Sequence, residues 1–186
     1  MKKSLVILSL AAGAAGAAVV MTQDFETLPF PPTGWTKEET SGYWSRENIG
    51  APYNHVAYFQ SYGVNGGSGN LITPGYPLTL VSHYATFNYS FRSEGGGTVA
   101  AYFRVQRQSG TSWVTVVNRA LTKSTTMRSY GYSFTPATAG THRILIRAQA
   151  NTKALVFFRV DNIQLESGPF TAVSPTSLGR VKVMYR

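Results

Sequence analysis

Cysteine is absent from the 186 residues. That excludes disulfide scaffolds, thiolate metal sites and cysteine nucleophiles. Acid is scarce: 8 Asp and Glu stand against 17 Lys and Arg, a formal charge of +9. Chemistry that needs paired carboxylates, such as sugar hydrolysis, has little to draw on. Charged residues make up only 13% of the chain, against about 25% in an ordinary soluble domain. No coiled-coil heptad or long amphipathic helical period occurs. The one strongly apolar run, Ser4 to Leu10, is too short for a membrane span of about 20 residues.

That run follows a basic start, Met1-Lys2-Lys3, and precedes Ala and Gly up to Ala18. A basic start, a short apolar core and a small-x-small site make a secretory signal peptide over residues 1–17, with cleavage near 14–21. No cysteine follows it, so no lipoprotein is expected. The rest of the chain is then secreted to the cell exterior or surface, without a transmembrane span.

A hydrophobic content of 43% excludes a disordered chain, and eleven Tyr and ten Phe favour strands. Residues 84–92 place Ala85, Phe87, Tyr89 and Phe91 on one face. Residues 98–107 place Val99, Ala101, Phe103 and Val105 on one face, with Tyr102, Arg104 and Gln106 on the other. A Ser-Gly turn at 109–110 joins this strand to 112–117 as a hairpin. Further strands are expected at 129–134, 142–150 and 154–165, and residues 63–69 read as a Gly-rich loop. Closely spaced strands without helical patterns between them predict an all-β, antiparallel two-sheet sandwich. Val156, Phe158 and Val160 share one parity, whereas Ile163 and Leu165 share the other. A strand of period two cannot change phase this way without a bulge. Asp161 is therefore a candidate site residue.

Two constellations bear on function. No acid lies between Glu94 and Asp161, yet this stretch holds Arg104, Arg107, Arg143 and Arg147 among its nine cations. Such a surface attracts polyanions, or is a solvated face that keeps the protein soluble. Tyr43, Trp44, Tyr53, Tyr58 and Tyr62 cluster among Asn and Gln. Aromatic rings with convergent polar groups suit sugar binding; the same rings also serve as sandwich core. Other groupings carry little. Glu38 and Glu39 are neighbours in a strand and point opposite ways. His55, His83 and His142 lack zinc-site spacing. No nucleophile elbow or phosphate loop is present.

Five segments occur in an order that resembles a known family. They are Asp24-Phe25-Glu26 with Pro31 to Thr36, Gly69 to Pro74, Ala85 to Phe91, Ala101 to Val117, and Thr141 to Ala150 leading to Phe158 to Ile163. Over residues 22–167 they resemble the cleaved-adhesin, or choice-of-anchor J, domain of secreted bacterial proteins, similar also to MAM domains. The resemblance implies a jelly roll and a non-catalytic adhesion, glycan-binding or matrix-binding role. It also implies a structural calcium ion, which maps onto Asp24, Glu26 and Asp161. In the alternative, Glu26 and Asp161 pair with Arg159 or Arg46.

Residues 168–179 read as a linker, and residues 180–186 as a separate C-terminal strand or attachment tail. The expected partners are extracellular glycan or matrix, or identical subunits joined by strand addition into a filament or surface layer. A role as accessory domain to glycan-active enzymes is a further alternative. Export argues against nucleic acid.

Overall fold

The computed structural model describes residues 17–61, 67–151 and 154–168. Within them run β1 (Ala18–Gln23), β2 (Thr36–Thr40), β3 (Gly42–Gly50), β4 (Asn54–Ser61), β5 (Gly67–Ile72) and β6 (Tyr76–Leu78). They are followed by β7 (His83–Gly95), β8 (Val99–Ser109), β9 (Ser112–Leu121), β10 (Ser124–Phe134), β11 (Gly140–Ala150) and β12 (Ala154–Ser167). Sheet I has the order β10-β7-β12-β4-β3, with β1 also against β12; sheet II has the order β2-β5-β11-β8-β9, with β6 also against β11. Every pairing is antiparallel. The chain is an all-β, antiparallel two-sheet sandwich, as its strand spacing predicts, and a jelly roll, as the family resemblance implies.

Period-two alternation builds the core. Ala85, Phe87, Tyr89 and Phe91 of β7 are buried, as are Ala101, Phe103 and Val105 of β8 and Ile144, Ile146 and Ala148 of β11. Across the two sheets Phe87 stacks on Phe103, with ring centroids 5.7 Å apart, and Tyr130 meets Phe103 at 5.9 Å. Trp44, Phe59, Phe158 and Phe91 continue this packing on sheet I. At one edge Arg119 of β9 hydrogen-bonds the Tyr132 hydroxyl of β10 and lies over its ring. That contact links the rims of the two sheets.

The bulge expected in β12 is present. The β12–β7 register shifts between Asp161 and Gln164, and Asn162 has φ +52°. Asn tolerates this left-handed conformation better than most residues. Val160 and Ile163 are consequently both buried, although they are three positions apart.

Two boundaries differ from expectation. The Gly-rich segment 63–69 is not wholly a loop, because β5 starts at Gly67. A Cβ at Gly69 would lie 2.3 Å from Phe59 Cε2 and 2.6 Å from Trp44 Nε1. Gly69 admits aromatic rings, and Gly67 admits the Ser41 carbonyl, whose oxygen would lie 2.3 Å from a Cβ there, so the turn signal they give in sequence is misleading. In addition, β1 begins at Ala18 opposite Ser167, four residues before the expected start of the domain. The proposed leader up to residue 16, the tail 180–186 and most of the linker 168–179 lie outside the described residues.

The substitution Gly69→Ala is expected to cost about 1–3 kcal/mol by overpacking, read as a lower denaturant midpoint. Gly96→Ala, where nothing lies within 4 Å, is expected to stay within about 0.5 kcal/mol of the parent.

Candidate functional site

The inward residues of β8 and β11 dictate what their outer face carries. With Phe103, Val105, Ile144 and Ile146 in the core, Tyr102, Arg104 and Gln106 of β8 face outward, beside Arg143, Leu145 and Arg147 of β11. The register sets Gln106 opposite Arg143, Arg104 opposite Leu145, and Tyr102 opposite Arg147. Arg104 is thus a diagonal neighbour of both Arg143 and Arg147. Beneath them, outward-facing Leu145 and Ile72 are only 3% and 1% exposed. Arginine stems cover apolar surface of this kind while their heads reach water.

Each guanidinium is held by a neutral amide. Arg104 Nε donates to Asn118 Oδ1 at 2.9 Å, Arg143 Nε to Gln106 Oε1 at 2.8 Å, and Arg147 Nε to Gln149 Oε1 at 3.0 Å. Trp113 of β9 lies under Arg143, with the guanidinium carbon 4.1 Å from the ring centroid. Tyr102 is similarly placed under Arg104 at 5.0 Å. Partial burial, and then the charge of Arg147, push Arg104 below the ordinary arginine value; partial burial does the same to Arg143. Arginine stays protonated at neutral pH even so. The one acid on this face is Glu38, whose Oε2 accepts a hydrogen bond from Asn70 Nδ2 at 2.7 Å. Its neighbour Glu39 turns the other way, toward Lys37 and the Trp44 backbone. Of the four arginines singled out in the sequence, three share this face. Arg107 has the parity of Val105 and pairs with His142 and Val114 at the end of the strand.

The outer face of sheet I is different. Tyr43 and Tyr58 both reach Gln60 Oε1, at 3.4 and 3.3 Å, beside Phe157, which pairs with Gln60. Two of the five candidate sugar-binding aromatics thus come together, and Phe157 joins them. Their faces are already covered, since Arg92 lies 4.3 Å from the Phe157 centroid and Arg159 lies 5.4 Å from that of Tyr58. Tyr58 is 9% exposed. Here acids balance the cations: Arg159 grips both carboxylate oxygens of Glu47, at 2.7 and 3.1 Å, and Arg92 pairs with Glu94. Burial, then the Glu47 charge, push the Tyr58 phenol up, while the Glu47 hydrogen bond raises Arg159. Trp44 is a correction. It is 2% exposed in the core, because its parity matches that of Phe59 across β3 and β4, and it offers no ring face to a ligand. Tyr53 lies apart, in the turn between β3 and β4, and Tyr62 lies outside the described residues.

Asp24, Glu26 and Asp161 do not form one shell. β1 ends at Gln23, and the backbone turns at Phe25, φ +54°, so Asp24 and Glu26 do not share a strand face as their spacing suggests. Asp24 Oδ1 accepts the Glu26 amide at 3.2 Å, and the Glu26 carboxylate faces His55 Nδ1 at 3.2 Å. Asp161 is buried on the bulge and accepts Asn162 Nδ2 at 2.8 Å. Among the described residues no three His, Asp or Glu stand in a metal-holding arrangement. The carbonyl oxygens of this turn already serve a cation. Arg46 Nε donates to Phe25 O at 2.7 Å and its Nη2 to Glu26 O. This donor set does not fit a calcium ion, which takes six to eight oxygens.

No known protein-family profile matches the sequence, and neither does any curated protein. Solved structures do match. The fold is similar to that of carbohydrate-binding modules. The CBM22-1 xylan-binding domain of Paenibacillus barcinonensis Xyn10C aligns with a TM-score of 0.55 and 8% identity, over 83% of this chain and 97% of that one. The C-terminal family 22 module of Clostridium thermocellum Xyn10B gives 0.53 and 11%, over 83% and 96%. The family 11 module of Clostridium thermocellum, solved with a mixed-linked tetrasaccharide, gives 0.52 and 14%, over 82% and 96%. At these identities the likeness shows a shared sandwich and transfers no individual residue.

Arg46→Met is expected to lose about 2 kcal/mol of stability, since it removes two charged hydrogen bonds to backbone carbonyls. The measurement is the urea midpoint. The same titration on metal-stripped wild-type protein, with and without added calcium, is expected to give one midpoint.

Proposed function

We propose that this chain is a non-catalytic glycan-binding module acting outside the cell, and that the outer face of sheet II is its binding surface. The observation that carries this reading is the contrast between the two outer faces. On sheet I the outward Arg92 and Arg159 pair off with Glu94 and Glu47. On sheet II Arg104, Arg143 and Arg147 are held by amides and make no close ion pair among the described residues, with Glu38 the one acid on the face, and they are interleaved with half-buried Tyr102 and Trp113. Such a strip offers hydrogen-bond donors to hydroxyls and ring edges to sugar rings, the mix that small polar ligand sites use.

The fold likeness to carbohydrate-binding modules supports the reading, as does the cleaved-adhesin resemblance of the sequence. The signal-like residues 1–17 support export. Among the described residues no helix is long and apolar enough to cross a membrane.

Affinity electrophoresis of the purified protein through gels containing a panel of plant and microbial polysaccharides is the test. Retardation by at least one polysaccharide is expected, with Tyr102→Ala weakening binding about tenfold, near 1.4 kcal/mol. Phe157→Ala, on the opposite sheet, is expected to bind as wild type. Unretarded migration through the whole panel, or a loss at Phe157 with none at Tyr102, contradicts the proposal.

A further inference from the structure

The three outward arginines form a track. Arg143 and Arg147 are four positions apart on β11, about 13 Å at 3.3 Å per residue. Arg104 projects between them from β8. Diagonal neighbours on adjacent strands stand about 7–8 Å apart, so the cations zigzag along the strand direction, advancing about 6.6 Å at each step of two residues. All eight acids of the chain lie at described positions, and only Glu38 reaches this face. Three like charges share this face with one acid, Glu38, which acts on Arg143 and leaves Arg104 beside Arg147, and gathered like charges lower stability. An arrangement that costs stability and is spread evenly along one line calls for a ligand that carries the missing charge.

The way these groups are held narrows that ligand. Arg104 and Arg143 are each fixed through Nε by a side-chain amide oxygen. Among the described residues no acceptor engages their terminal nitrogens. A guanidinium steered by Nε presents its two Nη groups as a fork, and the fork matches a planar carboxylate bidentately. The amides that steer it are neutral, so they orient the charge without cancelling it.

Resting on the glycan-binding reading above, we propose that the ligand is an acidic polysaccharide whose repeating uronate carboxylates are read by Arg143, Arg104 and Arg147. A polymer with carboxylates along its length meets the forks of Arg143 and Arg104 and, beside them, Arg147, whose Nη1 also donates to Asn70 Oδ1 at 3.4 Å. Its hydroxyls meet the amide groups of Gln106 and Asn118 beside them. Nucleic acid shares the charge, so double-stranded DNA is the control polyanion.

The experiment is calorimetric titration of the full chain with polygalacturonate and with the same polymer after its carboxyl groups are reduced to alcohols. Tighter binding to the acidic form by tenfold or more is expected, weakening steeply with added salt. Arg104→Gln and Arg147→Gln are each expected to reduce affinity at least tenfold and to flatten the salt dependence. Arg104→Lys, which keeps the charge but not the fork, is expected to recover less than half of the lost binding energy. Arg107→Gln, on the other face, is expected to bind as wild type, and melting curves confirm that each variant is folded. Equal binding to the acidic and reduced polymers overturns the uronate assignment while leaving the glycan-binding reading intact. Equal affinity for double-stranded DNA and polygalacturonate also overturns it, since charge alone would then account for binding. Failure to bind either polymer, or any polysaccharide of the wider panel, overturns both.

Discussion

The contact between Phe103 and Phe87 across the two sheets decides which side chains this molecule shows to solvent. A strand side chain points to one face or the other, with no intermediate choice. Once Phe103 is committed to the core beside Phe87 and Tyr130, Tyr102 and Arg104 have to face outward. Ile144 and Ile146 make the same commitment on β11 and send Arg143 and Arg147 outward beside them. The cationic face is a consequence of core packing in two adjacent strands, and shifting either strand by one residue would bury the arginines.

The two outer faces solve the problem of charge differently. Sheet I pairs Arg92 with Glu94 and Arg159 with Glu47 in close ion pairs. Sheet II uses amides, which orient arginine without neutralising it. The aromatic cluster, which attracts attention in the sequence, is dispersed: Trp44 is in the core, Tyr53 lies in a turn and Tyr58 is 9% exposed. The arginine pattern, which reads there as general basicity, is specific once the strands are in register.

Strand parity made much of this legible in advance. The β8–β9 hairpin, the alternation of β7 and the bulge at Asp161-Asn162 all follow from period-two counting. So does the separation of Arg107 from Arg104, although a charge count does not show it. Features set by contacts between sheets were not legible. Gly67 and Gly69 look like loop residues because the reasons for them, the Ser41 carbonyl for Gly67 and the rings of Trp44 and Phe59 for Gly69, are distant in sequence. Trp44 looks like a sugar platform because nothing nearby shows that it faces inward. Asp24 and Glu26 look like strand neighbours because the turn at Phe25 is fixed by Arg46, twenty residues away. Composition reports which charges exist; only the register says which of them meet.

The most direct test of the account is to map where a ligand lands. Backbone and side-chain NMR shifts of the isotopically labelled protein would be monitored during titration with oligogalacturonate. The account predicts that the largest changes fall on Tyr102 to Gln106 and Arg143 to Gln149, including the Nε resonances of Arg104 and Arg147. Changes centred on Tyr43, Tyr58 and Phe157 would place binding on the opposite sheet and contradict it.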